Sequence, residues 1–340
     1  LARTLEALAE EGREVFYRGW IARDMVERLQ GLGGLHTMQD FANAAGEYVT
    51  PISGSFRGRD IMQCPPNGQG VIALLLLHMF EKLPIDPGGP LTLERIHTEI
   101  EACRLAYGAR NVFVGDPAFG ESPVERMLSE AYAAQLAEAI DPLKAVVPAP
   151  HFSLPPHRDT VYITVVDKDR NACSYINTLF HNFGSGITAP VSGVTLHNRG
   201  QGFVLEKGHP NCIEPGKRPL HTIIPGMVLE NGRVTMSYGV MGGQYQSFGH
   251  MQFLTRHFDF GLDLQEAMDL PRFMVEPTSG RVDMENAIGP ELRAALEQRG
   301  HQIALPPTPI GGSQAISIDW HNNVLTGASD PRKDGCALGY

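Results

Sequence analysis

Thr160 stands where a proline-rich stretch gives way to a run of β-branched residues. If the chain were cut before it, Thr160 would carry both a hydroxyl and a free α-amine. Such an amine has an ordinary pKa near ~8, so a useful fraction is unprotonated at neutral pH. It could take the proton of its own hydroxyl, which makes nucleophile and base one residue. Residue type alone does not decide the matter, because threonine is common at the start of a strand.

Two further features have spacing that would serve such a nucleophile. If the turn 167–171 centres on Asp169, Thr160 lies across a hairpin from Thr178, at a Cβ separation of ~5 Å. A second hydroxyl would then orient the first, although an ordinary Thr–Thr cross-strand pair has the same spacing. Gly242-Gly243 follows a strand-like run and precedes a helical one. Paired glycines let backbone N–H groups face a small anion, as an oxyanion hole requires, and they equally make a plain turn.

These residues need elements to hold them. Up to about residue 140 the chain reads as mostly helical, with apolar periodicity at 1–11, 21–32, 71–80, 93–107 and 123–140 and a helix start at Thr37. The stretch 146–156 contains four prolines and reads as an exposed linker. Strand signals follow at 160–167 and 172–179, joined by a polar turn, and at 226–229 and 234–238 around Asn231-Gly232. Helical patterns return at 246–258, 264–269 and 290–299. This order predicts an α+β layered sandwich.

Composition narrows the function classes. The formal net charge of −10 argues against a nucleic-acid face. The longest apolar run, 71–80, is too short to span a bilayer, so it predicts a core helix. Five scattered cysteines form no CxxC pair, which disfavours a disulfide framework or a structural zinc. There is no HExxH pair and no GxSxG elbow, and Gly68-Gln69-Gly70 lacks the Lys-Ser/Thr ending of a phosphate loop. No leader is legible at Leu1. Neither a metal nor an organic cofactor is expected, and the compartment is left open between cytoplasm and periplasm.

The motifs taken together resemble the gamma-glutamyltransferase family. They are Thr160 to Asp169, Phe183 to Ile187, Pro215 to Leu220, Met241-Gly242-Gly243, Ala267 to Phe273 and Gly327 to Arg332. The first half agrees in Phe16 to Gly19, Gly33 to Leu35 and Thr50 to Gly54. The resemblance implies a four-layer αββα N-terminal-nucleophile (Ntn) hydrolase sandwich, made as a precursor that cuts itself at Asp159–Thr160. Residues 1–159 would be the C-terminal part of a large subunit, and 160–340 the small subunit, the two forming one Ntn domain. A homodimer is compatible with it. So is a further stretch upstream of Leu1 that holds an arginine for the substrate α-carboxylate.

On matching positions, Thr160 is the implied nucleophile, Thr178 its supporting hydroxyl, and Gly242 and Gly243 the oxyanion hole. His221 and Thr222 fall where the family has a serine pair that contacts the substrate carboxylate. The implied substrate is a small amide or peptide carrying a gamma-glutamyl or related acyl group. Two departures bear on that choice. Phe180 replaces the usual asparagine after the supporting threonine, and Gly202 replaces the aspartate that would hold an α-ammonium. Arg199 adds positive charge nearby, favouring a carboxylate over an amine. It could instead point to solvent or pair with a structural acid. The pattern is closer to the branch that includes cephalosporin acylase-like proteins. An inactive homologue kept as a binding protein is the alternative outside enzymes.

Overall fold

A computed structural model of the chain describes residues 1–146, 160–276 and 279–339. Most of the proline-rich stretch and Asp159 of the expected cleavage bond lie outside the described residues. Backbone contacts group the chain into two units, Leu1–Val49 with Thr178–Arg199, and Thr50–Asn177 with Gly200–Tyr340. The division at 159/160 expected from sequence concerns a bond in the chain rather than a boundary between such units.

The first unit is helical. It contains α1 (Ala2–Glu11), α2 (Arg13–Tyr17), α3 (Trp20–Gly31) and α4 (Met38–Ala42). Ala7, Val15, Ile21 and Met25 bury their side chains together with Ala189, which comes from the loop 178–199. Polar anchors fix that loop. The buried Asp24 carboxylate accepts from Ser192 N at 2.6 Å and Val191 N at 3.1 Å, and Thr4 Oγ1 donates to Ser192 O at 2.7 Å. Thr37 starts α4 as expected, with its N–H donated to Asp40 Oδ2 at 2.7 Å.

The second unit opens on a hairpin the sequence did not reveal, β1 (Ile52–Phe56) and β2 (Arg59–Gln63). Its turn is Arg57-Gly58, both with positive φ. Then come α5 (Gly70–Lys82), α6 (Leu93–Phe113), α7 (Val124–Met127) and α8 (Glu130–Glu138). α5 is the predicted core helix, buried almost all round. Each of its fully buried leucines contributes roughly 2 kcal/mol through area removed from water. The single helix expected over 123–140 is broken, because Ser129 Oγ accepts from Tyr132 N and starts α8 afresh.

Next come β3 (Val161–Val166), β4 (Ala172–Asn177), β5 (Gly226–Glu230), β6 (Arg233–Met241), α9 (Tyr245–Phe258) and α10 (Leu264–Asp269). The chain then runs through β7 (Phe273–Val275), β8 (Val282–Met284), α11 (Pro290–Gln298), β9 (Ile303–Ala304), β10 (Gly312–Asp319) and β11 (Val324–Ser329). The class is α+β, as expected. A six-stranded antiparallel sheet has the order β1-β2-β5-β6-β10-β11, and β3 pairs with β4 in a separate two-stranded sheet.

β6 shows how the layers stack. Tyr238 faces α9, with its ring against His250 and Phe253. On the opposite face, Ser237 and Gly239 meet β3. Helix, sheet and sheet thus follow one another, which is three of the four layers of an αββα sandwich. The outward side of the β3–β4 hairpin carries exposed Val161, Ile163, Val165 and Tyr175. The strand expected over 172–179 stops at Asn177. There the Thr178 hydroxyl accepts from Phe180 N at 2.9 Å, and Phe180 takes a positive φ of 80°.

Candidate active site

Thr160 is buried and stands one residue ahead of β3. The β3–β4 register is the one expected, with Val161 opposite Asn177 and Val166 opposite Ala172. The ladder therefore ends one residue short of Thr160 on one strand and of Thr178 on the other. The turn between them is closed by Arg170 N donating to Asp167 O at 3.0 Å.

β3 runs antiparallel across the face of β6. Thr164 Oγ1 donates to Ser237 Oγ at 2.6 Å, and two residues earlier the ring of Tyr162 lies over Gly239. Tyr162 also packs with Ile176 and Met241 in a small apolar cluster. The start of β3 and the end of β6 are therefore at the same end of the stack. Thr160 precedes the one, and Gly242 follows the other.

Gly242 and Gly243 form the turn between β6 and α9, with φ of 127° and 57°. Only glycine adopts the first without strain, and a Cβ there would stand 2.9 Å from Gly311 Cα. Arg272 braces the opposing loop by donating from Nη1 to Ile310 O at 2.9 Å and from Nη2 to Ser313 Oγ at 2.8 Å; Asp330 pairs with the same guanidinium. Just beyond the turn begins α9, fourteen residues long, whose N-terminal end favours negative charge.

His221 and Thr222 are brought to this turn through Gln69. Gln69 Nε2 donates to Thr222 O and to Gly243 O, each at 3.0 Å. The backbones interlock as well, with Gln69 N donating to His221 O at 3.0 Å and His221 N to Asn67 O at 2.9 Å. Beneath Gln69 lies Arg110, fully buried, donating from Nη1 to Gln69 Oε1 at 3.0 Å and to Gln244 Oε1. Burial pushes Arg110 down to about 10, which leaves it a cation at neutral pH. Its ion lies 4.4 Å from the Tyr107 ring centroid.

Sequence reasoning missed Gln69 and Arg110. The available signal was a glutamine at the head of a helix otherwise apolar on every side, in a motif that the sequence presents only as an incomplete phosphate loop.

Arg199 belongs to the first unit. It does not point to solvent: it is buried, and its guanidinium stacks on Phe180 at 4.2 Å from the ring centroid. Burial pushes it down to about 10, and His197, desolvated and next to this cation, sits below its usual range. Of the acids that follow it in the sequence, Glu206 is exposed and Glu214 accepts from Lys217 Nζ at 2.8 Å. Among the described residues no group of three or more His, Cys, Asp or Glu is placed to hold a metal ion, and no helix is long and apolar enough to cross a membrane.

A family model described as gamma-glutamyltranspeptidase matches residues 1–340. The chain is 36% identical over 346 residues to the glutathione hydrolase-like YwrD proenzyme of Bacillus subtilis, covering all of this chain and 65% of that protein. It is 33% identical to the glutathione hydrolase proenzyme of Escherichia coli, covering 100% of this chain and 61% of the relative. The crystal structure of cephalosporin acylase from Bacillus halodurans superposes with a TM-score of 0.90 at 36% identity, over 100% of this chain and 62% of that one. The chain thus spans less than two thirds of the length of each of these proteins.

Proposed function

The chain belongs to the gamma-glutamyltranspeptidase family, and from that premise we propose that it acts as an Ntn amidohydrolase whose nucleophile, Thr160, is freed by self-cleavage of the Asp159–Thr160 bond. The proenzyme names of its relatives support the maturation step. The observation that carries the chemistry is the shared end of β3 and β6, where a buried threonine and a paired-glycine turn at a helix N-terminus belong to one layer stack.

In this reading the α-amine of Thr160 takes the hydroxyl proton as Oγ bonds to the amide carbonyl carbon. Negative charge moves to the carbonyl oxygen, where N–H groups of the Gly242-Gly243 turn receive it. Collapse breaks the C–N bond, the departing amine takes the proton from the α-ammonium, and an ester on Thr160 remains. Water, or an acceptor amine, then attacks that ester and restores the hydroxyl. Thr178 is assigned the supporting hydroxyl, and His221 and Thr222 contact with the substrate, by the family positions they occupy.

The acyl group in this proposal is gamma-glutamyl or a close relative. A glutaryl or cephalosporin-type acyl chain is the second reading, favoured by the acylase similarity, by Gly202 in place of an acid and by the buried Arg199 cation. Mass spectrometry of the complete gene product tests maturation. Two fragments divided at Thr160 are expected, and one uncut chain for Thr160→Ala. A Thr160→Ala protein that still divides there would rule the mechanism out. Turnover of gamma-glutamyl-anilide against glutaryl-anilide then separates the two acyl groups.

A further inference from the structure

Gln69 is fully buried, and every polar atom it owns is engaged. Its N–H donates to His221 O, and its carbonyl accepts from Ser247 Oγ at 3.0 Å. Its side chain joins Arg110 on one side to Thr222 and Gly243 on the other. The orientation of this amide is fixed by chemistry. A guanidinium only donates, so Oε1 must face Arg110; peptide carbonyls only accept, so Nε2 must face Thr222 and Gly243.

The glycine turn depends on such bonds. Sterics hold a glycine weakly at positive φ, because it has no side chain to restrict it. The Gly243 carbonyl accepts from Gln246 N at 3.2 Å and from Gln69 Nε2 at 3.0 Å. Fixing that carbonyl fixes the peptide plane that follows Gly243. The same amide group holds the Thr222 carbonyl.

Arg110 adds a second, independent feature. It is surrounded by neutral groups, namely Gln69, Gln244, Asn111 and the Tyr107 ring, and no carboxylate pairs with it among the described residues. A buried cation without an anion is costly to maintain. The cost is lowered whenever negative charge develops nearby, and the turn two hydrogen bonds away is where the amidohydrolase reading places an oxyanion.

We propose that Gln69 is a positioning residue that couples the substrate-binding pair His221-Thr222 to the Gly242-Gly243 turn, with Arg110 as the fixed cation that orients it. The proposal rests on the amidohydrolase reading of that turn. Binding of the acyl group and stabilisation of the tetrahedral intermediate then share one amide, and losing it damages both.

The test compares the complete, processed enzyme with Gln69→Met, which removes both donors without adding charge, and with the isosteric Gln69→Glu. Active sites are titrated first, so that poor folding lowers only the amount of enzyme counted. Three quantities are read: kcat and KM on an acyl-anilide, and the inhibition constant of an alkylboronic acid, which becomes tetrahedral and anionic on a nucleophilic hydroxyl. For either variant kcat falls tenfold or more, KM rises at least threefold, and boronate binding weakens tenfold or more. Arg110→Lys, which keeps the charge but not the forked donor geometry, changes all three in the same direction by less. A purely structural Gln69 would leave KM and the boronate constant of the titrated enzyme unchanged, and that result overturns the proposal. A wild-type enzyme that neither cleaves the anilide nor binds the boronate overturns the parent reading and this one with it. Active wild type with unaffected Gln69 variants overturns this one alone.

Discussion

The ring of Tyr162 lies so close over Gly239 that a Cβ built on the glycine would stand 2.3 Å from it. The six-stranded sheet and the β3–β4 hairpin approach one another through this contact, two residues from Thr160. Gly239→Ala overpacks it. Such changes typically cost ~1–3 kcal/mol, and a 2.3 Å approach to a buried ring belongs at the upper end. The expected result is a lower urea midpoint and a loss of turnover that exceeds the loss of folded protein. Gly239→Ala combined with Tyr162→Leu should recover much of the stability. Equal stability of wild type and Gly239→Ala would show that the sheets part without penalty.

The turn makes a second, separable prediction. Gly242→Ala meets Gly311 and a φ of 127°, whereas Gly243→Ala faces a φ of 57° that a side chain tolerates better. Both should lower kcat by roughly 100- to 1000-fold if these N–H groups receive the oxyanion. Gly242→Ala should also lower the melting temperature more. Steady-state kinetics with a melting curve for each variant decide it. A rise in KM at unchanged kcat would remove the turn from the chemistry.

On the second reading, the glutaryl or cephalosporin-type acyl chain, substrate choice should follow Arg199. Its guanidinium is buried and stacks on Phe180. Arg199→Met keeps much of the apolar packing and removes the charge. Hydrolysis of a glutaryl amide should fall at least tenfold in kcat/KM, an amide of the same length without the terminal carboxylate should be little affected, and the glutaryl donor should match or exceed the gamma-glutamyl one on the wild-type enzyme. Equal losses on both amides would mean that Arg199 serves the fold alone.

Acid should destabilise the protein well above the carboxylate range. Burial pushes His250 down to about 3, from 6.5, and burial with the neighbouring Arg104 does the same to His301. Unfolding returns both imidazoles to their ordinary values. Between pH 6.5 and 3 the unfolded chain therefore holds more protons, and stability falls as pH drops through that window, by up to roughly 1 kcal/mol per pH unit for each histidine. Urea midpoints taken from pH 7 to pH 5 should decline steadily, and His250→Gln should flatten the decline. A flat profile in the wild type would mean that these histidines are protonated in the folded state.

Much of this arrangement is legible in the amino-acid sequence. The hairpin 161–177 and the helix 71–80 announce themselves by residue type, and the register about Asp169 follows from turn length. The strand β10 escapes because Gly312 to Asp319 mixes glycine, serine and glutamine, and its pairing with β6 is non-local. The hairpin of β1 and β2 escapes because its strands are five residues each, and β1 contains Ser53, Gly54 and Ser55. Gln69 and Arg110 are invisible for a related reason. Each acquires its meaning from partners more than forty positions away, at Thr222, Gly243 and Gln69 itself. Period and propensity report on neighbours in the chain, whereas a buried polar network is set by tertiary distance.

The exposed apolar side of the β3–β4 hairpin has a practical consequence in the test tube. Val161, Ile163 and Val165 line one strand and Tyr175 the next, all about half exposed, and among the described residues neither strand has a second pairing partner. An exposed apolar ribbon adheres to copies of itself. At pH 8 the chain's surplus of acidic groups keeps molecules apart. Near its isoelectric pH of about 5.7 that repulsion vanishes, so light scattering from concentrated samples of this chain should climb steeply there and subside when one valine of the ribbon becomes lysine.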